Sequence, residues 1–81
     1  MSIMVTGGAG FIGSNFLLDW FLHQDETIIN VDKLTYAGNF DNLASLQGDA
    51  RHQFVRGDIG DSALVAQLFA QYAPRAVINF A

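Results

Sequence analysis

Three glycines, Gly7, Gly10 and Gly13, stand in the run Val5-Thr6-Gly7-Gly8-Ala9-Gly10-Phe11-Ile12-Gly13, and read from Gly8 the same residues satisfy G-x-G-x-x-G. Glycine reaches the backbone angles of a sharp reversal at little cost, and its missing side chain lets a diphosphate come up to the backbone. If a helix begins just after this run, the unpaired N–H groups of its first turn and its dipole supply positive potential without any lysine. Asp32 follows Gly13 by nineteen residues, at the end of a second apolar run, Thr27 to Val31. A carboxylate there can accept hydrogen bonds from both hydroxyls of an adenosine ribose. The glycine spacing alone also marks ordinary turns. What favours the nucleotide chemistry is its setting: an apolar run before it, a helical pattern after it, and an acid after the next run.

Other chemistries lack their residues. No Gly-Lys-Ser/Thr follows the glycines, so the chain has no Walker-type phosphate loop, and with no cysteine it has neither disulfides nor thiolate metal sites. His23 and His52 have no second ligand at a useful spacing and read as structural. Ser14, in the first helical turns, has no nearby base and reads as a packing residue. The net charge is −4, and the basic residues are only Lys33, Arg51, Arg56 and Arg75, which offers nothing to a nucleic-acid backbone. The longest apolar stretches are broken by Asp19, His23 and Asn30 before they reach the length of a membrane span. The opening residues lack the basic and apolar segments of a secretory leader, so no membrane partner and a cytoplasmic location are expected.

The elements that must hold these residues alternate along the chain. The 81 residues, 51% hydrophobic and 15% charged, suit one domain whose sheet is heavily buried. A chain this short buries about 60 to 65% of its unfolded surface. Residues 2–6 read as a strand. Residues 11–23 read as a helix with Ile12, Phe16 and Trp20 at i, i+4 and i+8, widened by Leu17 and Phe21. Residues 27–32 form a second strand whose β-branched run suits a parallel sheet covered on both faces. Then come a loop, a short helix near 42–47 and a third strand at 53–56. Asp61 or Ser62 caps a helix to Tyr72, Pro74 stops it, and 76–80 read as a fourth strand. This β-α-β-α-β-α-β order predicts an α/β fold, the N-terminal half of a Rossmann-type doubly wound parallel sheet with strand order 3-2-1-4. Residues 1–81 are then expected to be an incomplete domain, the opening portion of a larger one, whose fourth strand presents an apolar edge.

The segments T-G-G-A-G-F-I-G at 6–13, V-D-K-L-T-Y-A-G-N at 31–39 and G-D-I at 57–59 resemble the extended short-chain dehydrogenase/reductase family, and the second is most similar to its nucleotide-sugar 4,6-dehydratases. The resemblance covers the whole chain but only the N-terminal part of such an enzyme. It implies NAD as a recycled redox cofactor and a dTDP-sugar substrate. Hydrogen would leave the sugar at C4 and return at C6 after water is lost across C5 and C6, in an enzyme that is a homodimer at full length. By position it implies that Gly7, Gly10, Phe11, Ile12 and Gly13 approach the diphosphate. Asp32 would hold the ribose and disfavour a 2′-phosphate by its charge, and Lys33, Leu34, Thr35 and Gly38 would shape the loop beside it. Asp58 would accept from the adenine amino group with Ile59 against the ring, while Phe80 and Ala81 would begin the nicotinamide side. The family more often has leucine at position 80. No catalytic residue is implied here: neither Tyr36 nor Tyr72 has a lysine four residues on, and the dehydrating Asp-Glu pair would lie beyond Ala81. Alternatives are the N-terminal part of a nucleotide-sugar 4-epimerase, a non-catalytic nucleotide-sensing module, and an interaction unit that assembles through its sheet edge.

Overall fold

The computed structural model describes residues 1–33 and 39–80. Strands β1 (Ser2–Thr6), β2 (Thr27–Asp32), β3 (His52–Arg56) and β4 (Val77–Asn79) form one parallel sheet in the order β3-β2-β1-β4. Helix α1 (Phe11–His23) joins β1 to β2, a 3₁₀ helix (Asn39–Leu46) precedes β3, and α2 (Ser62–Tyr72) joins β3 to β4. This is the order and arrangement expected from the alternating patterns.

Side chains of a strand point alternately to its two faces, so a sheet covered on both sides has two cores. Ile3, Val5 and Ile28 pack with Leu17 and Phe21 of α1 and with Leu43 and Leu46 of the 3₁₀ helix. Met4, Ile29 and Val31 pack with Leu68 of α2 on the other face. Every residue of β1 is buried. Each aliphatic side chain so buried contributes about 2 kcal/mol.

Two boundaries differ from expectation. The short helix expected near 42–47 runs from Asn39 to Leu46 and is a 3₁₀ helix. Leu43 and Leu46 are three residues apart and both buried, and three residues per turn is the period that stacks them on one face. The fourth strand is assigned only over Val77–Asn79, although its ladder continues at both ends through Met4 N–H to Ala76 O (2.9 Å) and Phe80 N–H to Thr6 O (2.8 Å).

At the amino ends of the strands, ion pairs join the connections. Arg75 grips Glu26 with two contacts of 2.6 Å, and Arg51 binds Asp49 (2.7 Å), Asp25 (3.1 Å) and the carbonyls of Phe21 and Gln24. The Arg51 guanidinium and backbone amide hold the Asp49 carboxyl down to about 2. The carboxyl ends of the strands are thereby left to the site.

Candidate functional site

The β1–α1 turn is built from close approaches. Gly7 has φ +75°, in the left-handed region, and its N–H donates to Val31 O (2.9 Å). A Cβ on Gly13 would lie 2.4 Å from Gly7 O, and one on Gly8 would lie 2.3 Å from Asn30 Oδ1. Gly10, with φ −72° and ψ 173°, is extended backbone open to any residue; it is the N-cap of α1.

Two amides of this turn face inward. Gly8 N–H donates to Asn30 Oδ1 (3.1 Å) and Ala9 N–H to Asp32 Oδ2 (2.9 Å). Asn30 and Asp32 share one face of β2, so a single strand supplies both anchors. The helical ladder starts with Ser14 N–H to Gly10 O (2.8 Å). The amides of Phe11, Ile12 and Gly13 precede it without an intrahelical acceptor. No acidic residue stands in this first turn and no side chain caps it.

These residues border a cavity of about 450 Å³ at the carboxyl ends of the strands. Of the residues singled out in the sequence, Gly7, Gly10, Phe11, Ile12, Gly13, Asp32, Lys33, Ile59 and Phe80 all line it. Phe11 and Ile12 expose 76% and 70% of their surface at its mouth. Asp58 does not line it; its Oδ2 meets Lys33 Nζ, which does, at 3.1 Å, and its Oδ1 accepts from Gly60 N–H (2.8 Å). The Gly60 amide and then the Lys33 ammonium hold the Asp58 carboxyl below the usual carboxylate range. Both partners are about half exposed, so the pair adds little to the stability of the fold. Leu34, Thr35, Gly38 and Ala81 lie outside the described residues.

Asp32 differs from a solvated strand-end carboxylate: it is only 5% exposed and already bound to the turn. Its carboxylate therefore ties the glycine turn to β2 as well as bordering the cavity. Sequence reasoning missed Thr6, Val31 and Gly57 in the lining, and it missed Asn30 as an anchor. The available signal for Asn30 was an amide inside a β-branched run, two residues before Asp32. Thr6 Oγ1 donates to Asn79 Oδ1 (2.6 Å), tying β1 to β4 beneath the cavity. The Phe80 ring packs on Phe16, with centroids 5.4 Å apart, so phenylalanine at this position is held by α1. His23 Nδ1 lies 3.7 Å from Asp19 Oδ1 on its own helix, and no group of metal-ligating side chains occurs among the described residues.

The arrangement suits an anion at the first turn of α1, with a hydrogen-bonding carboxylate beside it and apolar walls for flat rings. Residues 4–81 match the family model described as GDP-mannose 4,6 dehydratase. A dTDP-glucose 4,6-dehydratase of Xanthomonas campestris pv. campestris (strain B100) is 56% identical over 78 residues, covering 96% of this chain and 22% of the relative. The crystal structure of the dTDP-glucose 4,6-dehydratase of Bacillus anthracis str. Ames in complex with NAD superposes with a TM-score of 0.93 at 41% identity, covering all of this chain and 26% of that one. A UDP-glucuronic acid 4-epimerase of Bacillus cereus, in complex with UDP-glucuronic acid and NAD, superposes with a TM-score of 0.80 at 28% identity, covering 99% of this chain and 26% of that one. The chain thus spans about a quarter or less of the length of these relatives.

Proposed function

Since the chain belongs to the GDP-mannose 4,6 dehydratase family, within the extended short-chain dehydrogenases/reductases, we propose that it is the NAD-binding portion of a dTDP-glucose 4,6-dehydratase. The observation that carries this reading is the uncapped first turn of α1, whose amides open onto the cavity beside Asp32. The residues present fit the cofactor. The amides of Phe11, Ile12 and Gly13 take the diphosphate, Asp32 takes the ribose, and the half-exposed Ile59 and Asp58 take the adenine. When bound, NAD supplies a reversible store for hydride. The chain's own residues bind and orient it, and no catalytic residue is proposed among them.

Higher identity and closer superposition support the dehydratase reading over the 4-epimerase one. The dTDP-sugar, a homodimeric assembly and a cytoplasmic location of the whole protein belong to the same proposal. In its favour, no helix among the described residues is long and apolar enough to cross a membrane.

Titration calorimetry with NAD and NADP tests the cofactor assignment. We expect NAD to bind the chain more tightly than NADP, and Asp32→Asn, which keeps an oxygen for Ala9 N–H but removes the charge, to narrow that preference roughly tenfold. Equal affinity of the parent for both cofactors, or none for NAD, would remove the assignment.

A further inference from the structure

His52 opens β3, and its ring lies 6.3 Å from the ring of Phe21 on α1 and 6.3 Å from that of Phe54. Its Nε2 is 3.3 Å from Asn30 Nδ2, while Asn30 Oδ1 accepts the Gly8 N–H. A backbone N–H only donates, so the Asn30 atom facing Gly8 is the oxygen and the one facing His52 is the NH₂ group. His52 Nε2 therefore has to accept. In the neutral ring the hydrogen then sits on Nδ1. The result is two hydrogen bonds in series with one polarity: Gly8 N–H to Asn30, then Asn30 to His52.

We propose that His52 is a positioning residue for the glycine turn: by accepting from Asn30 it fixes the orientation of the amide that holds Gly8. The consequence for cofactor binding rests on the NAD reading above; the coupling itself rests on the geometry. Asn30 is fully buried, so no water can stand in for either partner. A proton on Nε2 sets donor against donor. Turning the Asn30 amide over satisfies His52 but places NH₂ against Gly8 N–H, so relieving the clash costs the turn one of its two side-chain anchors.

The surroundings keep the ring neutral. Burial pushes His52 below the usual imidazole range, opposed by the Asp49 carboxylate, which is itself paired with Arg51. On its own strand the ring meets Phe54, and from the other elements the uncharged Phe21 and Asn30 and the Leu46 backbone, with Asp32 the next residue on that face of β2. A base kept neutral by folding titrates lower in the native chain than in the unfolded one. The anchored turn is thus complete above the ordinary imidazole range and is lost as pH falls through the lowered value.

The test is NMR of the free chain joined to calorimetry with NAD from pH 7.5 to 5.5. The Gly8 amide resonance should titrate with the His52 ring, and NAD affinity should fall about tenfold per pH unit below that midpoint. His52→Gln, whose side-chain oxygen can accept from Asn30, should keep parental affinity at pH 7.5 and lose the acid decline. His52→Phe should bind several-fold more weakly at both ends of the range. A Gly8 amide indifferent to His52, or a His52→Gln variant with the parental pH profile, would overturn the proposal. Failure of the parent to bind NAD at pH 7.5 would count against the cofactor reading instead, with the Gly8 titration still deciding the coupling.

Discussion

Two strand-to-helix turns meet at the same end of the sheet, and they treat their helix amides in opposite ways. At β3–α2 the Asp61 carboxylate accepts from Leu64 N–H (3.1 Å), and Asp58 accepts from Gly60 N–H. That turn supplies its own anions. At β1–α1 the N-cap is a glycine, no carboxylate stands in the first turn, and the anchoring side chains come from β2 to amides one step earlier, at Gly8 and Ala9. The helix N-terminus is left for an outside anion. On the NAD reading, the contrast is that a helix end is kept for a ligand by what its turn withholds, provided the turn is held from elsewhere.

Filling the rigid turn should have the largest effect. Gly13→Val places a side chain within 2.4 Å of the Gly7 carbonyl, where backbone must move. We expect a loss of about 3 kcal/mol or more, read by denaturant unfolding, with NAD binding abolished. An undiminished midpoint would mean that this close approach does not shape the turn.

The comparison can be sharpened by making the first turn resemble the second. Gly10 has extended backbone angles that aspartate adopts freely, so Gly10→Asp should cap α1 as Asp61 caps α2. Melting should be unchanged or higher while NAD affinity falls roughly tenfold or more, because a resident carboxylate then competes for the amides. Tight NAD binding by this variant would place the diphosphate elsewhere.

The smallest effect is expected from the converse change. Asp61→Ala removes the α2 cap and should cost about 1 kcal/mol in stability, with NAD affinity unaltered. A matching drop in NAD affinity would show that the two turns are not independent.

Much of this contrast could be read before any coordinates. The glycine spacing and its place between periodic patterns located the turn, and Asp61 or Ser62 before an apolar helix announced a cap, which the structure gives to Asp61. Asn30 was not legible as an anchor, because its worth depends on Gly8, which lies twenty-two residues earlier and meets it only across the β1–β2 pairing. Lys33 and Asp58 likewise become partners only where the ends of β2 and the β3–α2 turn converge. The 3₁₀ geometry of Asn39–Leu46 followed from how Leu43 and Leu46 are received by the core, which local propensity does not contain.

Local chemistry in the sequence therefore determined where backbone could reverse, which faces were apolar and where a helix cap could stand, since these depend on residues within a turn or two of each other. The tertiary structure alone decided that Asn30 and Asp32 hold the reversal from below and that His52 orients Asn30. Hydrogen bonds between buried groups need partners at fixed distance and direction, and only the packed sheet brings those partners together.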